Sequence, residues 1–318
     1  MGWREDVTFG NLAVTGRLSY NPALVSGASI TMKPKVYFVS RNVTRSGDGT
    51  SWGQAFKTIG EAIAKVNQDY TYGYVPDNGR NRMIVIGEGW YSETGLTLTA
   101  SDVTIIANGS GSNIADGTVL YGSLTAAGWD AGALVPALTI TGSSNIVQGL
   151  GLMNSASGLY PCVSVGVSGS TGPSNNMFLG CFFPRDVADA YTYAIVDYGN
   201  EGCVIDGCRF SQSAKTGGIL IASNGVVNPV NDVVRNNVFV GTPMGVNQTA
   251  GHNTLVHDNM FMDSTDDRPD TCDYPMVCEA TSMLTYRNVS FNTNRADMCT
   301  GAGTILDLEN VGSDTVNT

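Results

Sequence analysis

The sequence is poor in charged residues, and above all in basic ones. Only 14% of its 318 residues are charged, and Lys and Arg number 17 against 28 acidic residues. A net charge of -11 with no basic stripe argues against nucleic acid as a partner, because contacts to a phosphate backbone need clustered Lys and Arg. The sequence therefore predicts no nucleic-acid binding.

Long apolar runs are also missing. No stretch approaches the roughly 20 apolar residues of a membrane span, and the first residues, Met1 to Asp6, lack the apolar run of a signal peptide. The sequence therefore predicts that the protein does not insert into a membrane. It also predicts that the protein is made in the cytoplasm without a cleaved signal peptide.

Histidine is rare, since only His252 and His257 occur, and neither stands beside a Ser or Cys nucleophile motif. We expect both to be ordinary strand residues, so no catalytic triad is predicted. No cofactor is predicted either.

The seven cysteines are an odd number, which is not typical of a disulfide framework in a chain of this length. Cys181 and Cys208 share a repeat position and are expected to form a small apolar stack, with a disulfide as the less favoured alternative. Cys272 and Cys278 match no zinc spacing, and whether they bridge a loop stays open.

A short phrase recurs in the second half of the chain: apolar residues, then a Gly, Asn or Asp, then a large apolar residue. Its final positions are spaced by 31, 27, 29, 22 and 30 residues. Such a period is typical of solenoids, in which each repeat buries its apolar face against its neighbours. The predicted core ladder consists of Leu152, Phe183, Phe210, Phe239, Phe261 and Phe291. The predicted turn column consists of Gly149, Gly180, Gly207, Asn236, Asp258 and Asn288, types that tolerate a tight or left-handed backbone.

One amphipathic segment precedes the repeats. Phe56, Ile59, Ile63 and Val66 recur at three- and four-residue spacing, which predicts a helix over about 56–67.

The whole pattern over about 36–308 resembles the right-handed parallel β-helix of the pectate-lyase-like superfamily. Tyr37 to Ser40, Ser46 to Trp52 and Ala55 to Ile59 are similar to the superfamily's first strand, loop and cap helix. The resemblance implies an all-β, single-stranded solenoid with an N-terminal capping α-helix. The expected domains are an arm (1–31), the β-helix body (32–310) and a polar tail (311–318).

The first 31 residues are predicted to form an extended attachment arm. The segment around Val7 to Gly16 resembles the openings of tailed-phage virion proteins, which implies a virion location and binding of the arm to capsid or tail proteins. The alternative is a strand folded back along the protein's own helix. The resemblance also implies a homotrimer. The apolar residues expected to mediate particle attachment are Val7, Phe9, Leu12, Val14 and Leu18.

Catalytic candidates are weak. Glycan hydrolysis needs two suitably spaced carboxylates, and elimination on this fold uses a basic residue with calcium-binding carboxylates. The outward column Gln148, Leu179, Asp206, Arg235, His257 and Arg287 has no acidic pair on consecutive repeats. Asp186, Asp189, Asp197 and Glu201 lie in loops or turns. Asp266 and Asp267, with Arg235 or Arg287 as the base, are the weak catalytic candidates, and Asp263, Asp266, Asp267, Asp270 and Asp273 are the weak calcium candidates.

Two functions follow as expectations. The sequence favours a non-enzymatic virion protein, a trimeric β-helix that reinforces the capsid or contacts the host surface. The alternative is a tailspike that degrades a host surface glycan as a lyase or hydrolase.

Overall fold

A computed structural model describes residues 35–71, 82–108, 117–122, 135–154, 160–184, 191–211, 214–262, 274–279, 282–291 and 298–312. The predicted arm and its five apolar residues lie outside these ranges. Within them the chain winds through three parallel sheets in turn, and one pass through all three is called a coil.

The strands are numbered along the chain. Sheet 1 holds β1 Lys35–Val39, β2 Arg82–Ile86, β5 Val103–Ala107, β8 Ile146–Gln148, β11 Met177–Leu179, β14 Val204–Asp206, β17 Val233–Arg235, β20 Thr254–His257, β23 Ser282–Tyr286 and β26 Thr304–Leu308. Sheet 2 holds β3 Gly89–Ser92, β6 Thr118–Gly122, β9 Gly151–Asn154, β12 Phe182–Phe183, β15 Arg209–Ser211, β18 Val238–Val240, β21 Met260–Met262, β24 Val289–Ser290 and β27 Val311–Gly312. Sheet 3 holds β4 Leu96–Leu98, β7 Leu138–Ile140, β10 Val163–Val165, β13 Tyr191–Tyr198, β16 Ala214–Ala222, β19 Met244–Gln248, β22 Tyr274–Cys278 and β25 Cys299–Thr300.

Every strand pairs in parallel with its counterpart one coil away, so the fold is a parallel β-helix, as predicted. The last strand, β27, lies inside the segment 311–318 that was expected to be a tail.

The corner from sheet 1 to sheet 2 turns through one residue in the left-handed region. Gly207 (φ 66°), Asn236 (φ 56°) and Asp258 (φ 55°) occupy this position on successive coils. In the coil of β23 it is Arg287 (φ 51°), not Asn288 as predicted from the sequence. The prediction placed the last repeat one residue too late, because Asn is the more usual residue in this conformation.

The residue after each of these turns points into the core. Asn237, Asn259, Asn288 and Asn310 are buried there in succession, and each side-chain oxygen accepts from the previous coil. Cys181 and Cys208 hold the same position on two earlier coils and are buried free thiols. They form the small stack expected from the sequence, and burial raises the pKa of Cys208 well above its usual value.

The core ladder is an aromatic stack. Phe183, Phe210, Phe239 and Phe261 are fully buried, with ring centroids 4.8, 4.6 and 4.9 Å apart and nearly parallel planes. Leu152 is buried as well, but Phe291 is 43% exposed. Ser290 pairs with Phe261 and takes the place predicted for Phe291, which is the same one-residue error.

The cap helix, α1, spans Ile59–Thr71 and buries Ile59, Ala62, Ile63 and Val66. It starts later than predicted because Phe56 forms a β-bridge with Val39. Its first N–H groups, of Ile59 and Gly60, donate to the two carboxylate oxygens of Glu93, both at 2.7 Å. A 3-10 turn, Trp52–Gln54, precedes it.

Candidate functional site

Most of the acidic residues proposed from the sequence lie outside the described residues. These are Asp186, Asp189, Asp263, Asp266, Asp267, Asp270 and Asp273, together with Cys272. Their catalytic and calcium-binding roles therefore stay predictions. Within the described ranges, no group of three or more His, Cys, Asp or Glu side chains is arranged to hold a metal ion.

Asp197 is described, and it is not a surface acid. It lies at the end of β13 and is 1% exposed. One oxygen accepts from the N–H of Asn200 at 3.0 Å, whereas Oδ2 is buried with no hydrogen-bond partner among the residues that the structure describes. Burial raises the pKa of Asp197 to about 7. Glu201 is exposed and forms bridges to the neighbouring coils on both sides.

Arg235 and Arg287 both lie along the corner between sheets 1 and 2, and each is held by an aspartate. Nε and Nη2 of Arg235 lie 2.9 and 2.8 Å from Oδ2 of Asp206. Nη2 of Arg287 lies 2.7 Å from Oδ2 of Asp258. This pairing stabilises the charged guanidinium and raises the pKa of Arg287, so neither arginine is suited to act as a base.

The residue between them is His257. The register places it opposite Arg235 on one neighbouring strand and opposite Tyr286 on the other. Tyr286 therefore stands in the outward column where the sequence placed Arg287. Its ring stacks on the imidazole with centroids 4.6 Å apart and planes 4° from parallel.

His257 and Asp258 form a close pair. Nδ1 of His257 lies 2.6 Å from Oδ2 of Asp258, which also accepts from Arg287. A carboxylate at Nδ1 favours the tautomer with the proton on that nitrogen and leaves the lone pair on Nε2. Nε2 has no hydrogen bond to any described residue. The group formed by Asp206, Arg235, His257, Asp258, Tyr286 and Arg287 is called the histidine column below.

The electrostatics of the column favour a base over an acid. The hydrogen bond from Arg287, followed by that from His257, lowers the pKa of Asp258 below its ordinary value. An aspartate with a lowered pKa is a poor proton donor at neutral pH, whereas an oriented imidazole is a suitable acceptor. The hydrogen bond at Nδ1 therefore makes His257, which is 8% exposed, the group of the column oriented to accept a proton.

Sequence reasoning missed this pair because it searched for a nucleophile beside each histidine. The available signal was the adjacency of His257 and Asp258 where a strand meets a left-handed turn. In this column the register places Asp206, Arg235 and His257 on consecutive coils.

Solved structures similar to this chain include pectin methylesterases, a pectate lyase and an alginate lyase, which are polysaccharide-acting proteins with a parallel β-helix. A pectate lyase matches with TM-score 0.58 and 12% identity over 88% of this chain and 70% of its own. A carrot pectin methylesterase matches with TM-score 0.52 and 13% identity over 91% and 86% of the two chains. An alginate lyase from Paenibacillus matches with TM-score 0.52 and 14% identity over 79% and 93%. No protein-family model and no characterised protein matches by sequence.

At these identities the likeness concerns the fold, which is the right-handed parallel β-helix of the pectate-lyase-like kind. In the part of the chain described here, no helix is long and apolar enough to cross a membrane.

Proposed function

We propose that this protein cleaves an anionic polysaccharide by elimination at the histidine column. The observation that carries the proposal is the His257–Asp258 pair, with Nδ1 2.6 Å from the carboxylate and Arg235 and Arg287 on either side. The fold neighbours include two lyases, which supports the same chemistry. This departs from the non-enzymatic role that the sequence favoured.

The elimination needs only the groups of the histidine column and water. Nε2 of His257 removes the proton on the sugar carbon next to the carboxylate. The electron pair of that C–H bond forms a carbon–carbon double bond, and the bond to the glycosidic oxygen breaks. The oxygen leaves with its electron pair and takes a proton from the imidazolium or from water.

The arginines supply the charge that this step requires. Negative charge builds up on the sugar carboxylate as the proton leaves, and a guanidinium that binds a carboxylate stabilises it. Both arginines keep donors beyond those that bind aspartate, because each guanidinium has five N–H groups. The substrate class is therefore a polymer of acidic sugars.

Hydrolysis is supported less well. It needs one carboxyl group with a raised pKa to protonate the leaving oxygen. Within the column, Asp206 and Asp258 are both paired with arginine, and the pKa of Asp258 is lowered. Asp258 is therefore a poor general acid at neutral pH.

The test is an assay of product formation from pectate and from alginate. The ultraviolet absorbance of the new conjugated double bond reports the product. We expect the wild-type protein to produce it on at least one polymer and His257→Gln to lose at least about 10²-fold in rate. His252→Gln, at the other histidine, is the matched control and should keep its rate. Equal rates for His257→Gln and wild type would contradict the proposal.

A second function rests on a different surface. One outward column of sheet 1 is apolar on nine of its ten strands, and its side chains are partly or fully exposed. Its members are Val36, Met83, Thr104, Ile146, Met177, Val204, Val233, Leu255, Leu284 and Leu306.

An exposed apolar stripe supports association of several copies of the chain, and we propose that the protein is a homotrimer. We also propose that this homotrimer is carried on a virion. In that setting the arm, 1–31, binds a capsid or tail protein and the body contacts a host surface glycan. Light scattering of Val204→Lys against wild type tests the trimer, since a charge in the stripe should leave monomers. Particle incorporation after deletion of residues 1–29 tests the arm, and normal incorporation would contradict it.

A further inference from the structure

A second cluster on the same corner, at the other end of the described β-helix, consists of two exposed tryptophans with an arginine. Trp52 is 45% exposed and Trp90 is 42% exposed. Each indole is a large apolar surface with a polar N–H at its edge, and Arg41 contacts the chain at both Gly89 and Trp90. The name tryptophan–arginine patch is used below for Arg41, Trp52 and Trp90.

Neighbouring residues fix the side chains of Trp52 and Arg41. The Trp52 ring packs against Phe38 with centroids 4.8 Å apart. It also lies over Gly87, where a Cβ would stand 3.2 Å from the ring. The stem of Arg41 lies over Gly89 so closely that any Cβ there would collide with Cδ. Nη1 of Arg41 donates to the carbonyl of Trp90 at 3.4 Å, which joins the arginine to the second tryptophan.

Among the described residues, no carboxylate lies within ion-pairing distance of the Arg41 guanidinium, in contrast to Arg235 and Arg287, which are paired with aspartates. A guanidinium with unused donors binds a carboxylate through two parallel hydrogen bonds. The negative faces of the two indoles attract the C–H face of a sugar ring. Together these groups match an acidic sugar and not a neutral one.

We propose that the tryptophan–arginine patch is a remote subsite for the same anionic polysaccharide, and this rests on the function proposed above. Six strand steps of sheet 1 separate β2 from β20, about 29 Å at about 4.8 Å a step. Both places lie along the corner between sheets 1 and 2. A linear chain running parallel to the helix axis reaches both, whereas a disaccharide does not.

The experiment measures affinity for pectate and for alginate, each as polymer and as disaccharide, by quenching of tryptophan fluorescence and by calorimetry. We expect Trp52→Ala and Trp90→Ala each to weaken binding of the long polymer about tenfold or more. Arg41→Gln should also weaken binding of the long polymer, and it should reduce the preference of the protein for the acidic polymer over neutral dextran. The cleavage rate on short fragments should not change. Tyr274→Ala, which removes a 50% exposed aromatic residue on sheet 3, is the matched control.

The outcomes separate the two claims. If the wild type binds and cleaves a polymer and the patch variants keep full affinity for it, the subsite is wrong and the proposed function stands. If the patch variants weaken polymer binding and His257→Gln cleaves normally, the subsite stands and the catalytic assignment fails. If the wild type binds neither polymer, both are wrong.

Discussion

Asn237 and Asn259 occupy the same position on neighbouring coils, and one oxygen joins them. Oδ1 of Asn259 accepts from the backbone N–H and from the side-chain amide of Asn237, both at 3.0 Å. The amide of Asn259 in turn donates to the carbonyl of Val234 at 3.0 Å. The ladder thus supplies an acceptor for the buried backbone N–H of Asn237, which lies at the corner beyond the end of β17.

Removing one member of this ladder should be costly. Asn259→Leu has a similar volume but leaves the backbone N–H and one side-chain N–H of Asn237 without the acceptor that Asn259 supplies. Each buried unsatisfied group costs about 1–3 kcal/mol, so we expect a loss of at least about 2 kcal/mol in the free energy of unfolding. Chemical denaturation measures it. Asn42→Leu, at an exposed asparagine, is the control and should change stability little.

The aromatic stack gives a second prediction. Phe239 lies between Phe210 and Phe261 and is fully buried, so Phe239→Ala should lower the free energy of unfolding by about 3–5 kcal/mol. Phe291→Ala removes the same atoms at an exposed position and should change it by no more than about 0.5 kcal/mol. Equal effects would mean that the one-residue correction at Ser290 is wrong.

These two elements show what the sequence could predict. The column of phenylalanines was visible because stacked coils repeat side-chain type at a fixed position. The asparagine ladder was missed because Asn was expected only at turns, so Asn237 and Asn259, which follow the correctly predicted turns at Asn236 and Asp258, were given no role. The last repeat was misplaced for the same reason.

The candidate site was predictable only in part. Arg235 and His257 were placed correctly in the outward column, because strand alternation fixes the face of each residue. The ion pairs Arg235–Asp206 and Arg287–Asp258 join different coils, so their partners lie 29 residues apart and leave no local signal. Asp197 was expected near a turn, and its inward direction depends on the course of β13.

Asp197 provides a test of pH dependence. Its pKa is about 7 in the folded protein because of burial, against an ordinary value of 3.8. Burial and then the charge of Asp197 raise the pKa of the neighbouring Asp232 well above its ordinary value. Cys203 is the other titratable group of this cluster, and burial raises its pKa too.

The sign follows from proton binding. Between pH 4 and pH 7 the folded protein holds a proton on Asp197 that the unfolded chain has lost, so stability should fall as pH rises through this window. Asp197→Asn, which cannot ionise, should flatten the fall over that window. Denaturation midpoints at several pH values measure it, and an unchanged slope in Asp197→Asn would contradict a raised pKa.

Asp258 tests the orientation of the imidazole. Asp258→Asn keeps a residue that tolerates φ 55°, as Asn236 does at the same position, so the fold should persist. The amide no longer accepts the Nδ1 proton as a carboxylate does. We expect kcat to fall by about 10²-fold with little change in melting temperature. Asp206→Asn, which releases Arg235 but leaves the His257–Asp258 pair, should change KM more than kcat.

The most direct measurement of the central claim is a structure of the His257→Gln variant with a bound acidic oligosaccharide from pectate or alginate. The proposed chemistry predicts a sugar ring beside Tyr286 with its carboxylate in hydrogen-bond distance of Arg235 or Arg287. An oligosaccharide bound only on the outer surface of sheet 3, with the histidine column empty, would contradict it.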